Sequence, residues 1–286
     1  QGLAVKGVIN MTAGPFEKRG NVTLASGEYL YRDAAINDAC RLLLDFGRTW
    51  PGGNKTSGYA SNDVVKNFCY TDDVATVGNA MDYDGGGIKS NGHYLGRILL
   101  PDSAILPASC TRQLITLTFK IPVTGYDPQN SARQCALLSV GSGAADATTL
   151  SGILGNSNAS GALNNMQFQA WGASWDGSGG VDTAVKAALG TVTQVAMYAY
   201  KVSSTQVKSQ LFVNGSPVVE KAISTAATYP SSFTKKQLFS GSFGTAVTGG
   251  TVATIYRAGI YDMTNSDVNP ADIVALDYSR NHSRFS

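Results

Sequence analysis

Residues 210–219 read QLFVNGSPVV and residues 250–263 read GTVATIYRAGIYDM, and these two segments are the most informative about the fold. In the first part, Asn214-Gly215 separates two apolar runs. This dipeptide is the strongest short hairpin signal, because a type I′ turn needs a positive φ at both central residues. In the second part apolar and polar residues alternate, which is the period of a half-buried strand. The two segments therefore predict a β-hairpin followed by a further strand.

A helix is predicted immediately after this strand. Asn269 is a favourable N-cap, Pro270 suits the first helical position, and Asp272 places a negative charge in the first turn. We expect this helix to run to about residue 280.

Strand patterns also fill the chain before the hairpin. Residues 113–123 (QLITLTFKIPV) alternate in the same way and form the clearest strand candidate. Residues 192–202 carry apolar or aromatic side chains on both faces, with Tyr198 and Tyr200 on one of them. That pattern predicts a central strand covered on each side. The 32 glycines, with many Ser, Thr and Val residues, fit a protein of strands and turns.

Several of these segments together resemble a known family. The order of the quoted motifs is similar to that of laminin-G/concanavalin-A-like domains: YDGGGIKSNGHYLGRILLPDSAIL (83–106), TLTFKI (116–121), ALLSVG (136–141), LFVNG (211–215) and IYRAGIYDMTNSD (255–267). The resemblance implies an all-β, two-sheet antiparallel jelly-roll sandwich with a short C-terminal helix. We assign residues 34–286 to this sandwich and residues 1–33 to an N-terminal arm or hairpin used for assembly or attachment.

Charge, hydropathy and cysteine content narrow the classes of function. A net charge of +2 with scattered basic residues predicts no nucleic-acid partner. No stretch approaches the roughly 20 apolar residues of a membrane span, so we expect no membrane insertion. The four cysteines lie far apart and none forms a CxxC motif; we expect all of them to be buried free thiols. They are Cys40, Cys69, Cys110 and Cys135.

The best candidate for ligand binding is the segment that contains Trp171, Trp175 and Asp176. Two tryptophans four residues apart, beside Ser, Asp and Gly, suit the stacking of a sugar ring and hydrogen bonds to its hydroxyls. Trp50 lies in another long, turn-rich loop and is a further candidate. The alternative is that these tryptophans cap the sandwich or pack between subunits.

Metal binding and catalysis have weaker support. Laminin-G-like domains often hold one calcium, and the paired acidic candidates here are Asp72, Asp73, Asp82 and Asp84. Calcium needs six to eight oxygens, so solvated loop aspartates are the alternative. We expect no other cofactor. The glutamates at 17, 28 and 220 have no carboxylate partner at glycosidase spacing. His93, Tyr94 and Arg97 only weakly resemble the Arg/Gln/His/Tyr set of the polysaccharide lyases on this fold.

The function predicted from the sequence is therefore non-catalytic. The Ser/Thr/Gly/Asn-rich composition resembles that of bacteriophage virion proteins such as tail fibres, receptor-binding proteins and capsid decorations. The resemblance implies an adhesive or structural protein on the particle surface, with other virion proteins and a surface glycan as partners. We expect a homo-oligomer, with a trimer favoured. The alternatives are a carbohydrate-active enzyme on the same fold and a bacterial extracellular lectin-like adhesin.

Overall fold

A computed structural model of the chain describes residues 33, 35–47, 54, 56–69, 73–90, 97–122, 134–141, 149–157, 163–171, 181–182, 190–224, 229, 232–233, 235–242 and 253–285. Their regular elements are β1 Cys40–Asp45, β2 Val64–Lys66, β3 Val74–Val77, β4 Asp82–Asp84, β5 Gly87–Lys89, β6 Ile98–Leu99, β7 Arg112–Lys120, β8 Gln134–Gly141, β9 Thr149–Ser157, β10 Leu163–Ala170, β11 Val181–Asp182, β12 Thr193–Lys201, β13 Gln206–Val213, β14 Ser216–Ser224, β15 Lys235–Ser242, β16 Thr254–Asp262 and the helix α1 Pro270–Asn281. Single 3-10 turns lie at Asp102–Ala104 and His282–Arg284.

The described strands form two antiparallel sheets of eight strands each. In sheet I the order is β14-β13-β12-β7-β16-β5-β4, and β1 also pairs with β16. In sheet II the order is β11-β10-β9-β8-β15-β6-β3-β2. The predicted fold class, an all-β sandwich of two antiparallel sheets with a short C-terminal helix, is confirmed.

The main core lies between the sheets. Strand alternation on β7 and β12 sends Leu117, Phe119, Val195 and Met197 inward, and all four are fully buried. They belong to the same apolar cluster as side chains of sheet II, among them Leu138, Val140 and Leu238. Each such side chain contributes about 1.5–3 kcal/mol through burial, so this core supplies most of the stabilising free energy.

The hairpin and the helix begin and end close to where the sequence predicts. Asn214 and Gly215 have φ values of 49° and 80°, the left-handed pair that a type I′ turn requires. Asn269 Oδ1 accepts a hydrogen bond from the backbone N–H of Ala271 at 3.1 Å, and Pro270 opens α1. Among the described residues, none of the helices has the length and apolar character needed to cross a membrane.

α1 packs on the outer face of sheet I, where it contacts β12 and β14. Ile273 and Val274 of the helix join a second apolar cluster with Leu114, Ala196 and Phe212 of the sheet. Ala196 lies on the opposite face of β12 from Val195 and Met197. The covered part of β12 is therefore buried on both sides, as its sequence predicts.

A buried ionic cluster joins the helix to the sheet. The guanidinium of Arg257 on β16 bonds Asp277 Oδ1 at 2.6 Å, Asp33 Oδ1 at 2.7 Å and Asp45 Oδ2. The Arg257 side chain is 1% exposed, and the three carboxylates are 4% exposed or less. Burial alone would lower the pKa of Arg257, but the three carboxylates raise it well above its ordinary value. The cation is thus held permanently charged among its partners.

The end of the described chain closes this cluster from the solvent side. Arg284 donates to both oxygens of Asp45, at 2.9 and 3.0 Å, in a bidentate pair. The Phe285 ring lies 4.9 Å from the ring of Tyr256. A Cβ on Gly47 would come within 2.9 Å of the Phe285 ring, so the small residue permits this close approach.

The prediction of four free thiols is wrong for two of the cysteines. Cys40 and Cys69 form a disulfide, with their Cα atoms 6.2 Å apart. The backbone positions them for it: the Asn67 side chain accepts from Leu43 N–H at 3.0 Å and from Cys69 N–H at 3.1 Å. These bonds hold residues 67–69 alongside β1. Cys110 is free and buried as predicted, and burial raises its pKa to about 12.

The predicted boundary between the arm and the sandwich, at residues 33 and 34, stays a prediction. Asp33, at the end of the predicted arm, is 4% exposed and bonds Arg257 of the sandwich. Residues 1–32, which make up the rest of the predicted arm, lie outside the described residues.

Candidate functional site

The tryptophan loop is only partly described. Trp171 follows β10 with a φ of 51°, is 4% exposed and belongs to the main core cluster. The Lys201 ammonium nitrogen lies 5.3 Å from the centre of its ring. The indole is therefore an interior packing group, not an exposed platform for stacking. Trp175, Asp176 and Trp50 lie outside the described residues, so their binding role stays a prediction.

The acidic candidates do not form a described cluster. Asp82 and Asp84 lie at the two ends of the edge strand β4, and Asp84 Oδ2 accepts from the Thr254 hydroxyl at 3.3 Å. Asp73 precedes β3, and Asp72 lies outside the described residues, as do His93 and Tyr94. Among the described side chains, no three His, Cys, Asp or Glu residues approach closely enough to hold a metal ion. Calcium binding therefore stays a prediction.

A different arrangement emerges on the outer face of sheet I. Tyr198 and Tyr200 project from the same face of β12, and both are half-buried. Their rings stack, with centroids 5.3 Å apart and an angle of 26° between the planes. Burial raises the pKa of Tyr198 although Arg112 acts in the opposite direction, so its phenol is neutral at physiological pH.

The position of α1 explains why this part of the sheet is open. Gln194, near the start of β12, donates from Nε2 to Asp277 Oδ2 at 2.9 Å and so lies directly beneath the helix. Tyr200 is six residues further along the strand, a distance of about 20 Å at the usual rise per residue. The helix covers Ala196 on the way, and Tyr198 packs at the margin of the covered cluster. Beyond that margin the outer face meets solvent.

Polar and charged side chains flank the two tyrosines. Tyr200 lies opposite Arg112 on β7 and Lys208 on β13, and Tyr198 lies opposite Gln210. Lys208 pairs with Glu220 at 3.4 Å, and both side chains are well exposed. We call this set the tyrosine face, defined by Arg112, Tyr198, Tyr200, Lys208 and Gln210.

Arg112 is fixed by the loop that follows β16. Its Nη2 atom donates to the carbonyl oxygens of Thr264 at 3.1 Å and Ser266 at 2.7 Å. The backbone N–H of Thr111 donates to the Thr264 hydroxyl at 3.0 Å, which anchors the same loop from the neighbouring residue. The guanidinium thus connects the tyrosine face to the loop and is held in place by these hydrogen bonds.

Asn265 and Ser266 of this loop also line a small polar cavity of about 200 Å³. We call it the rim pocket, lined by Asp38, Ala39, Arg41, Asp262, Asn265 and Ser266. Arg41 pairs with Asp262 at 3.3 Å, and the Ser266 hydroxyl bonds Asp38 Oδ1 at 3.1 Å. Burial would raise the pKa of Asp262, but hydrogen bonds from Thr264 and the charge of Arg41 outweigh it and lower the pKa. The carboxylate is therefore ionised.

The tyrosine face and rim pocket did not emerge from the sequence. The alternation over residues 192–202 places both tyrosines on one side of β12 and predicts that this side is covered, whereas both tyrosines are only half-buried. The sequence does contain one sign that this face is open. Tyr198 and Tyr200, followed by Lys201, carry polar groups that would each need a hydrogen-bond partner if the face were fully covered.

Comparison with known proteins shows similarity of fold alone. No family model matches the chain, and no curated protein matches it significantly. A Trypanosoma rangeli sialidase in complex with 2,3-difluorosialic acid superposes with a TM-score of 0.54 at 13% identity, over 87% of this chain and 34% of the sialidase. A second structure of that sialidase gives a TM-score of 0.52 at 15% identity, over 84% and 32% of the two chains.

The chain thus spans about a third of the length of the sialidase. The receptor-binding domain of botulinum neurotoxin type G aligns over 85% of this chain and 51% of its own at 12% identity, but its TM-score of 0.41 is too low to support an argument. The two sialidase superpositions support a β-rich fold for this chain. The finer laminin-G/concanavalin-A-like assignment stays a resemblance.

Proposed function

We propose that this protein is a non-catalytic, glycan-binding adhesive module and that the tyrosine face binds the glycan. The observation that carries the proposal is the stacked, half-buried pair Tyr198 and Tyr200, which Arg112 connects to Ser266 in the lining of a polar cavity. Sugars present an apolar ring face together with several hydroxyls, and such ligands match aromatic rings beside a few fixed polar groups.

The tyrosine face has the rigidity that a binding surface needs. β12 is paired along its length with β7 on one side and β13 on the other, so the backbone beneath the tyrosines is held from both directions. Arg112 is fixed by two carbonyl oxygens. Little side-chain freedom remains to be lost on binding, which favours affinity.

The non-catalytic part of the proposal rests on how the buried carboxylates are used. A retaining glycosidase needs two carboxyl groups about 5 Å apart and open to substrate. Asp33, Asp45 and Asp277 are gathered around Arg257, but they are almost completely buried and each is bonded to that cation. These ion pairs hold the helix against the sheet.

The biological setting proposed here is the surface of a bacteriophage virion, as part of a tail fibre, receptor-binding protein or capsid decoration. The Ser/Thr/Gly/Asn-rich texture supports it. The Cys40–Cys69 disulfide supports an oxidising, extracellular location. Within this proposal, the arm at residues 1–33 mediates assembly into a homo-oligomer, with a trimer favoured, and attachment to other virion proteins. The bacterial adhesin alternative would use the same tyrosine face.

A glycan array tests the proposed function. Wild type should bind a defined subset of glycans, and the Tyr198→Ala/Tyr200→Ala double variant should lose that binding while it remains folded. Trp175→Ala on the same array tests the tryptophan loop separately. An array on which the double variant binds as wild type does would contradict the assignment of the tyrosine face.

Catalysis is tested on the same glycans. Reducing-sugar and unsaturated-product assays with the bound glycans should detect no turnover. Measurable turnover that Asp82→Asn abolishes would favour the carbohydrate-active enzyme alternative and would contradict the non-catalytic proposal.

A further inference from the structure

We propose that the rim pocket holds the terminal residue of a neutral glycan while the following residues lie along the tyrosine face. The inference rests on the proposed function and adds to it the chemical class of the ligand and its direction on the surface. It follows from the charges that face the pocket, from the size of the pocket and from its connection to the tyrosine face.

The charges around the rim pocket disfavour an acidic sugar. Two carboxylates, Asp38 and Asp262, face one guanidinium, that of Arg41. The Arg41 cation is already paired with Asp262, whose lowered pKa keeps it ionised. Among the described lining residues the balance is therefore negative, and a sialic or uronic acid carboxylate placed here would meet like charges while the Arg41 guanidinium is already engaged by Asp262.

The same groups suit the hydroxyls of a neutral sugar. Asp38 is exposed, and its Oδ1 atom is held by the Ser266 hydroxyl at 3.1 Å, which orients the carboxylate. A carboxylate accepts strong, charge-assisted hydrogen bonds from neutral hydroxyl donors. Asn265, also exposed, offers both a donor and an acceptor. This combination of oriented acceptor and amide fits vicinal hydroxyls.

The size of the cavity limits the ligand to a single ring. Pockets for drug-sized ligands occupy roughly 300–1,000 Å³, whereas the rim pocket measures about 200 Å³. A longer glycan must therefore leave the pocket after one residue.

Arg112 provides the connection from the pocket to the tyrosines. It bonds the Ser266 carbonyl, and Ser266 lines the pocket; on β12, Tyr200 lies opposite Arg112. An oligosaccharide that leaves the pocket past Ser266 would reach the stacked tyrosine rings next. Its terminal sugar would then lie in the pocket and its remaining sugars on the tyrosine face.

Paired oligosaccharides test this inference. Each neutral glycan, such as lactose, is measured beside its counterpart capped with an acidic residue, such as sialyllactose. Wild type should bind neutral members at least tenfold more tightly than their acidic counterparts. Asp38→Ala and Asn265→Ala, two exposed positions, should each weaken neutral binding fivefold or more without a change in melting temperature. Asp38→Asn should narrow the gap between neutral and acidic members.

The outcomes separate this inference from the proposed function. If wild type prefers acidic members, or if neither Asp38→Ala nor Asn265→Ala changes binding that Tyr200→Ala abolishes, the rim pocket inference is overturned and the proposed function stands. If no glycan binds, or if Tyr200→Ala has no effect, the proposed function itself fails and the inference fails with it.

Discussion

The outer face of sheet I has two halves that share strands but differ in almost every other respect. Under α1, Gln194 of β12 is 1% exposed and bonded to the helix, and the nearby Arg257 is surrounded by carboxylates. Beyond the helix, Tyr198 and Tyr200 on the same strand are only half-buried and stack on each other. One strand can therefore join the sheet to the helix along one half and stay open for the proposed glycan binding along the other, because the 12-residue helix covers only part of it.

The physical chemistry of polar groups differs between the halves accordingly. In the covered half every buried charge must have a partner, because an unpaired ion in a low-dielectric interior is very costly. In the open half water solvates Lys208 and Glu220, whose pairing adds little to stability. Changes in the covered half should therefore alter stability, and changes in the open half should alter binding.

The largest expected effect is on the ionic cluster. Arg257→Met removes the cation and leaves three buried carboxylates without it, which should lower the free energy of unfolding by about 3–5 kcal/mol. The matched control is Lys208→Met in the open half, with an expected loss of about 1 kcal/mol or less. Denaturant unfolding monitored by fluorescence measures both. Equal losses for the two variants would break the distinction between the halves.

The disulfide should give the next largest effect. It closes a loop of 29 residues, for which chain entropy gives a stabilisation of about 3.6 kcal/mol. A reductant should therefore lower the melting temperature of wild type but leave that of the Cys40→Ser/Cys69→Ser variant unchanged. Alkylation of the denatured, unreduced protein should spare these two cysteines. If mass spectrometry finds four modified thiols, the disulfide assignment is wrong.

The hairpin turn beneath the helix is the third test. Gly215 has a φ of 80°, and a Cβ there would lie 3.1 Å from the Tyr278 side chain of α1. Gly215→Ala should therefore cost about 1–3 kcal/mol through backbone strain and crowding. Ser216→Ala, at the exposed next residue, is the control and should change stability by no more than about 0.5 kcal/mol. Similar melting temperatures for both variants would show that the turn does not constrain the helix.

The helix cap is the smallest effect in this series. Asn269→Ala removes the side-chain acceptor for the Ala271 N–H and should cost about 1 kcal/mol. Asn269→Asp keeps an acceptor at this position and should retain most of the stability. Equilibrium unfolding of the two variants checks the prediction, which fails if alanine is tolerated as well as aspartate.

The elements that the sequence predicted depend on local chemistry. Asn214-Gly215 specifies its turn through backbone φ, and Asn269-Pro270 specifies the start of α1 through capping, so neighbouring residues contain the necessary information. The alternation of β7 separates Leu117 and Phe119, which pack in the main core, from Thr116 and Thr118, which are also buried but on the opposite face. These features explain why the sandwich and its helix could be predicted from the sequence.

The remaining features depend on residues distant in the chain. The Cys40–Cys69 pairing requires the position of Asn67, and the Arg257 cluster gathers Asp33 from a segment more than 200 residues away. Periodicity placed Tyr200 on the correct side of β12. It could not show that α1 leaves Tyr200 uncovered, because the exposure of that side chain is set by the packing of the helix on the sheet and not by the sequence of the strand.

The most direct test of the central claim is a pair of calorimetric titrations with the tightest-binding glycan of the array. Tyr200→Ala removes a stacked, half-buried tyrosine from the open half. Tyr278→Ala removes a comparable one, stacked 4.4 Å from His282, from the helix. We expect Tyr200→Ala to weaken glycan binding at least fivefold and Tyr278→Ala to leave the Kd unchanged. Equal affinity of both variants for the glycan would contradict the central claim.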